Sequence, residues 1–451
     1  DYDIFDITLL FKELKNHKFA IDGRFYPLNF MENLKERGMN FEIINQCPLD
    51  EIWKRDIIFE CKTENFELAG ETKEEKLAKV RNFLKENNAD ALFLHDPHDV
   101  CYAFNIRGNY LEFSPIIPFF AFISRESEGL VAPKDVPNLK LGKVLLSKSA
   151  SYNIFTLLSK NNEIIFEKED FLANQKAVKT EFEIECIKKA HIQDGKALKE
   201  FISWLKKTKL ENETEFSIGQ KLIEFRKKQE GFICESFSSI VGFKENGAIV
   251  HYRALENSCK QIKGEGLLLI DSGGQYYSKK SQICGTTDVT RVFAIGTPND
   301  EEKRAYTLVL KGHIALCEAV FPSGTTGGEL EFLTRQFLFK QGLNFNHGTG
   351  HGVGYFLSVH EGPCGFSKRS NVVLKAGMVL SNEPGFYKEN AFGIRFENLL
   401  FIKNAPFEGF LEFEILTKAP IEAKLLDYQI LTDDELEWLT EYTNFVNHLE
   451  L

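Results

Sequence analysis

In the first 175 or so positions, apolar residues fall in short runs separated by stretches with helical spacing. Phe19-Ala-Ile-Asp22 and Phe41-Glu-Ile-Ile44 read as strands, and Pro27 to Arg37 between them as a helix with its proline near the first turn. The polar segment Cys61 to Gly70 reads as a connection. A similar unit restarts at Thr72, with a helix over 76–85, a strand at Ala91 to Leu94, and the turn Asp96-Pro97 opening another helix. Two modest α/β lobes are predicted, over 1–64 and 65–174. Neither carries a phosphate loop or a dinucleotide fingerprint.

A third region, 175–451, has a different texture. Thr180 and Glu183 form a capping box, and Ile184, Ile187, Leu198, Phe201, Ile202 and Leu205 then recur along one long helix. A second helix is expected from Thr214 to Lys228. Short strands and glycine turns follow: Ser239-Ile-Val, Asn246-Gly247, Ala248-Ile-Val-His251, and Leu267-Leu-Leu-Ile ending on Asp271. Helices return at Asp300 to Val320 and at Thr326 to Lys340, the latter opened by a Thr326/Glu329 capping box. No internal repeat is visible. The mixture implies an α+β domain around a curved antiparallel sheet.

Charge and composition narrow the class. Lys+Arg 55 against Asp+Glu 66 gives −11, which argues against binding nucleic acid through a basic surface. The longest apolar-rich stretch, Phe113 to Ile123, is broken by Ser114, Pro115 and Pro118, and falls well short of the roughly 20 residues a membrane helix needs. The start, Asp1-Tyr-Asp-Ile-Phe, lacks the features of a secretory leader, and the absence of a methionine suggests that residues preceding Asp1 are missing. Nine scattered cysteines, never in Cys-x-x-Cys, point to free thiols in a cytoplasmic setting.

The candidate chemistry lies in the third region. Four of the ten histidines, His251, His347, His351 and His360, stand beside glycine-rich turns. The same region holds Asp271 (Leu-Ile-Asp-Ser-Gly-Gly) at the end of an apolar strand, Glu397 (Arg-Phe-Glu-Asn) in a strand-like run, Asp288 (Thr-Thr-Asp-Val-Thr-Arg) and Glu383 (Asn-Glu-Pro-Gly). Buried carboxylates are costly unless paired with a cation or bound to a metal. Singly, each reads as a turn cap or an arginine partner. Clustered, four carboxylates and one imidazole carry about −4, which suits two divalent ions and an activated hydroxide. Residue types alone leave manganese, cobalt, iron and zinc open. His-Glu-x-x-His and Gly-x-Ser-x-Gly motifs are absent. Cys364 reads as a packed thiol, His313 as an ordinary helix histidine, and His95 and His98 as solvated loop residues.

The series Ile-Val-His251-Tyr, Leu-Ile-Asp271-Ser-Gly, Thr-Thr-Asp288-Val-Thr-Arg, His347-Gly-Thr-Gly-His351-Gly-Val-Gly, Val-His360-Glu-Gly-Pro, Asn-Glu383-Pro-Gly and Ile-Arg-Phe-Glu397-Asn resembles the Xaa-Pro aminopeptidases of the pita-bread metallopeptidase family M24. The tail from Pro420 through Trp438 resembles their long, three-domain form. Looser likeness extends upstream through Phe104-Asn-Ile-Arg-Gly108 and Ile52-Trp-Lys-Arg-Asp56. The resemblance implies a pita-bread catalytic domain of mixed α+β character, preceded by two creatinase-N-like α/β lobes, the first truncated. It implies Asp271, Asp288, His351, Glu383 and Glu397 as ligands of two divalent ions, usually Mn²⁺, with Asp288 and Glu397 bridging. It makes Glu383 the general base as well, and His251, His347 and His360 catalytic and substrate-binding. Arg395 is counted with the substrate-binding set and as a partner of an acidic ligand. A homodimer through the catalytic domain and peptide substrates beginning Xaa-Pro are implied, with no nucleic-acid or membrane partner. The segment between Asp271 and Asp288 is read as an elongated hairpin loop, longer than usual. A prolidase, a methionine aminopeptidase and a non-catalytic peptide-binding scaffold are the competing readings, and the scaffold is opposed by five chemically competent ligand positions.

Overall fold

The computed structural model describes residues 13, 15, 17–52 and 61–450. Most of the Ile52–Asp56 likeness lies outside them. The chain divides into two compact units, Asp3–Leu111 with Pro115–Lys176, and Ala177–Leu451 with Glu112–Ser114.

In the first unit, Phe19–Asp22 and Phe41–Ile44 pair in parallel around the helix Leu28–Glu36, as the run-and-spacing pattern predicts. A five-stranded sheet follows, in which Ala91–Leu94, Lys143–Leu146 and Glu163–Phe166 run parallel. Thr72 closes a full capping box with Glu75 at the start of the helix Lys73–Glu86. The expected connection at Cys61 to Gly70 contains a short strand, Thr63–Asn65, paired with Ile106–Gly108. Its polar residues gave no strand signal, because an exposed edge needs no apolar face. Nor is His98 in a loop. It lies on the helix Pro97–Phe104 with Nδ1 2.9 Å from Asp96 Oδ1, while half-buried His95 places Nε2 3.1 Å from Ser149 Oγ.

The second unit explains why Leu267-Leu-Leu-Ile has no alternation. The strand Gly266–Ser272 is covered on both faces. Leu267 and Leu269 join the large core beneath the helix Asp300–Cys317, and Leu268 and Ile270 pack against Leu198, Phe201, Ile202 and Leu205 of the helix Glu181–Lys207. Gly266–Ser272 lies between Ile240–Phe243 and Val289–Ile295, antiparallel to both. A second antiparallel sheet orders Val320–Pro322, Phe410–Ile415, Asn398–Asn404 and Val379–Asn382.

Two expectations change here. Ala248 to His251 forms no strand; the chain turns through a short 3₁₀ helix, Lys244–Ala248. The predicted helix over Thr326 to Lys340 is two helices, Gly327–Leu330 and Phe332–Phe339. The segment between Asp271 and Asp288 is a hairpin, Gly274–Ser278 with Ile283–Thr286, whose buried Tyr276 packs on Phe232 and Ala190. All nine cysteines are free thiols, and no helix among the described residues is long and apolar enough to cross a membrane.

At the carboxyl edge of the parallel strands, burial and the charge of Asp170 push Glu167 up to about 8. The folded chain therefore keeps a proton that the unfolded chain sheds near pH ~4.3, and stability falls as pH rises between the two values. Glu167→Gln retains an acceptor for the Phe171 N–H, 3.2 Å away. It is expected to raise stability at about pH 8 by about 1–3 kcal/mol and to give no gain near pH ~4, as urea unfolding at the two pH values would read.

Candidate metal centre

Strand register delivers the acids. Asp271 pairs with Thr290 across the first sheet, and Asp288 directly precedes the strand Val289–Ile295. In the second sheet Asn382 pairs with Asn398, so Glu383 and Glu397 lie one residue beyond that rung on opposite strands. The two ladders are stitched by Glu397 N–H to the Thr290 carbonyl at 3.3 Å and by the Thr290 hydroxyl to Glu397 Oε2 at 2.9 Å. His351 arrives on the two-residue strand Gly350–His351. This strand can approach only because it is flanked by glycine: a Cβ on Gly350 would overlap the Ser381 carbonyl, and one on Gly352 that of Glu361. The Ser381 hydroxyl then accepts from His351 N–H at 3.0 Å and donates to Glu383 Oε1 at 3.1 Å.

Oxygen and nitrogen atoms of Asp271, Asp288 and Glu397 gather within 4.8 Å of one another, as do those of His351, Glu383 and Glu397, and those of Asp288, His351 and His360. Asp288, His351 and Glu397 each belong to two of these groups, so the three groups form one continuous cluster. All five expected ligand positions are thus brought together. His351 Nδ1 faces the Gly352 carbonyl at 3.0 Å. A carbonyl only accepts, so Nδ1 carries a proton, and Nε2 faces Asp288 Oδ2 at 3.5 Å and Glu383 Oε1 at 3.4 Å.

Without a cation this arrangement is electrostatically unfavourable. Burial first, and the neighbouring Asp271 and Glu383 charges next, raise Asp288 well above the usual carboxylate range. Glu397 is raised in the same way by burial, Asp288 and Glu383. Asp271 Oδ1 is buried with no hydrogen-bond partner, a rare condition that a metal ion would relieve. The oxygen-rich donor set with one oriented imidazole fits divalent ions of the harder kind.

Arg395 lies buried against the acids. It is 1% exposed, and donates to Asp271 Oδ2 at 2.6 Å, Thr290 Oγ1 at 3.1 Å and the Tyr387 hydroxyl at 2.9 Å. These contacts pair it directly with one of the clustered acids. Tyr387 Oη also lies 2.8 Å from His347 Nε2, while His347 Nδ1 lies 2.8 Å from the Gly348 carbonyl. His347 is therefore neutral, protonated on Nδ1 and accepting from Tyr387, and burial and Arg395 push it down to about 3. The His360 ring meets His351 edge-on at 4.2 Å. Burial, then the charges of His351 and His251, push His360 down to about 4. His251 and His360 are both exposed and line the open side.

Three participants were missed in the sequence. Thr290 was findable, since a strand places it two residues from Asp288 on the same face. Tyr387 had no signal of its own. Glu215, fully buried, accepts from Phe243 N–H, Lys260 N–H, the Tyr252 hydroxyl and the Asn246 amide, and so holds the irregular segment that carries His251.

A buried cluster of four carboxylates and a histidine at the mouth of an antiparallel α+β unit defines a metallohydrolase-type centre. The comparisons specify the family. Residues 185–404 match metallopeptidase family M24, 59–137 the creatinase/prolidase N-terminal domain, and 409–449 the C-terminal region of M24 peptidases. The probable Xaa-Pro aminopeptidase P of Arthroderma gypseum is 34% identical, over 91% of this chain and 72% of its own length. The chain belongs to metallopeptidase family M24, with a creatinase N-terminal domain and the pita-bread fold. Among solved structures, the X-prolyl aminopeptidase of Caenorhabditis elegans, described as a cytosolic enzyme with a di-nuclear active site, superposes with TM-score 0.88 at 29% identity, covering 98% of this chain and 78% of that one. The prolidase of Pyrococcus furiosus superposes with TM-score 0.61 at 26% identity, covering 75% of this chain and 98% of its own.

Asp288→Asn should have opposite effects with and without metal. Removing one repelling charge is expected to raise the melting temperature of the metal-stripped chain. The same change is expected to abolish the rise of roughly 5–10 °C that saturating Mn²⁺ gives the parent. Scanning fluorimetry of both proteins with and without Mn²⁺ reads both effects.

Proposed function

We propose that this chain is a metal-dependent aminopeptidase that releases the N-terminal residue from peptides whose second residue is proline. The carrying observation is the convergence of Asp271, Asp288, His351, Glu383 and Glu397 at one end of two stitched strand ladders. Two divalent ions would be held by these five residues, manganese being the ion the family likeness favours. When bound, such a pair supplies Lewis acidity towards a carbonyl and lowers the pKa of water.

The chain's own groups divide the remaining work. Among the acids, the Glu383 side chain is 19% exposed, against 11% for Asp271 and 5% for Asp288. It is the carboxylate open to solvent and so suited to accept a proton from attacking water. The Xaa-Pro amide has no N–H, so recognition must fall on carbonyl oxygens and the pyrrolidine ring. His251 and His360 on the open side can donate to those oxygens. His347, locked by Tyr387 and Gly348, sets the wall beside them.

The C. elegans aminopeptidase matches over nearly the whole chain, and curated relatives about a third identical to it are named Xaa-Pro aminopeptidase P, which supports an aminopeptidase over a dipeptidase. The family likeness supports a homodimer through the catalytic unit. It also supports treating 1–64 and 65–174 as separate creatinase-N-like lobes. The free cysteines and the cytosolic C. elegans enzyme support a cytoplasmic setting. The net charge of −11 supports a role without nucleic acid.

Metal-stripped protein given Arg-Pro-Pro is expected to release free arginine only after Mn²⁺ is added, and Glu383→Ala to reduce the rate by ~10²–10⁴-fold. Cleavage of Xaa-Pro dipeptides with no release from Arg-Pro-Pro would make the chain a prolidase. No turnover of either substrate with any divalent ion would leave a peptide-binding scaffold.

A further inference from the structure

His313 was read in the sequence as an ordinary helix histidine, but its surroundings are not ordinary. It is fully buried on the helix Asp300–Cys317, with no exposed surface. Its imidazole reaches both strands of the ladder that ends in Glu383 and Glu397. Nδ1 lies 3.1 Å from the Asn382 carbonyl, and Nε2 lies 3.0 Å from Asn398 Nδ2. Asn382 and Asn398 are partners in the last rung of that ladder, each adjacent in sequence to one of the two glutamates. Asn382 Nδ2 returns a bond to the His313 carbonyl at 3.0 Å.

The protons in this contact can be assigned. Asn398 Oδ1 lies 2.7 Å from Arg291 Nη2 and 3.2 Å from the Tyr442 hydroxyl. A guanidinium only donates, so the amide oxygen faces Arg291 and the amide N–H₂ faces His313. Nε2 must accept that N–H, so Nδ1 holds the proton and donates it to the Asn382 carbonyl. Arg291 Nη1 also donates to the carbonyl of Glu397 itself at 2.7 Å. The chain of polarity thus runs from Arg291 through Asn398 and His313 to Asn382, and every link has one direction only. Phe396, next to Glu397, packs its ring 4.7 Å from that of His313.

We propose that His313 is a positioning residue for the metal centre: its imidazole, bridging Asn382 and Asn398, fixes the spacing of Glu383 and Glu397 and thereby the affinity of the cluster for divalent ions. The proposal rests on the metal-centre reading above. It treats His313 as two arms, one to each glutamate-bearing strand. A residue that merely fills the core would act through volume alone.

The test compares His313→Leu, His313→Asn and His313→Gln with the parent, all as full chains. Leu keeps apolar bulk and removes both arms. The Asn amide N–H can take the place of Nδ1–H, and the Gln amide oxygen can take the place of Nε2, so each restores one arm. Mn²⁺ affinity and stoichiometry are measured by isothermal titration calorimetry, and the metal-free fold by circular dichroism and melting temperature. The expected result is a loss of affinity of roughly 10–100-fold for Leu, with a smaller loss for Asn or Gln, at metal-free melting temperatures that do not track the losses. Affinity of folded His313→Leu within about threefold of the parent would overturn the proposal, as would losses that follow the metal-free melting temperature in every variant. Should the Leu variant not fold, Asn and Gln decide: weakened Mn²⁺ binding by either at an unchanged melting temperature supports the proposal, and parent-like binding by both overturns it. A parent that takes up no divalent ion removes the metal-centre reading and this proposal together. A parent that binds two ions as tightly as every variant removes this proposal alone.

Discussion

The structure turns on holding four carboxylates in one buried place against their mutual repulsion. Like charges at such spacing, out of water, cannot all stay ionised without a compensating cation, and the upward shifts of Asp288 and Glu397 express that conflict. Folding must supply a frame rigid enough to keep the acids from swinging apart. The frame found here is two antiparallel ladders tied end to end through Thr290 and Glu397, with a glycine-flanked strand bringing in the one imidazole. Short strand ends are well suited to the task, because backbone pairing fixes where a carboxylate starts and few rotatable bonds remain beyond it.

The polar groups behind the acids form a directed network rather than a set of isolated pairs. Arg395 reaches Asp271, Thr290 and Tyr387; Arg291 reaches the carbonyls of Thr290 and Glu397 and the side chain of Asn398. Buried arginines of this kind are weak evidence for stability, since the same volume of apolar side chain often does as well. Their value here is geometric. A planar fork with five fixed donors constrains several acceptors at once, and those acceptors lie on or beside the strands that deliver the acids.

What the sequence made legible follows from the same division. Asp271 and Asp288 stood out because an acid directly after or before an apolar strand needs an explanation, and His351 because its glycines recur at every second position. Capping boxes located the helix starts at Thr72, Thr180, Thr214, Asn299 and Thr432 in the folded chain, and Thr180 was read directly from residue types. The supporting groups were not legible. Glu215 and His313 act through partners tens of residues away, as Tyr387 does towards His347, and nothing local marks a histidine whose neighbours in space are Asn382 and Asn398. The Asp271–Asp288 segment was legible as an elongated hairpin but its burial was not, because Tyr276, Ile283 and Cys284 are covered by the helix Glu181–Lys207, a tertiary contact that local spacing does not announce. The irregular path at Ala248 to His251 has the same origin: Glu215 satisfies backbone and side-chain donors that a strand would have paired elsewhere.

Charge balance gives the asymmetry of the site a reason. Of the four acids, Asp271 has a guanidinium against it at 2.6 Å, whereas Glu397 meets the neutral Thr290 hydroxyl at 2.9 Å. Four carboxylates with Arg395 leave about −3 in a buried space, and two divalent ions with one hydroxide would supply about +3. Without Arg395 the same filled site would carry about −1, which would oppose negative charge developing on a carbonyl oxygen. Arg395, placed behind the acids, is thus suited to balance the site as well as to hold Asp271.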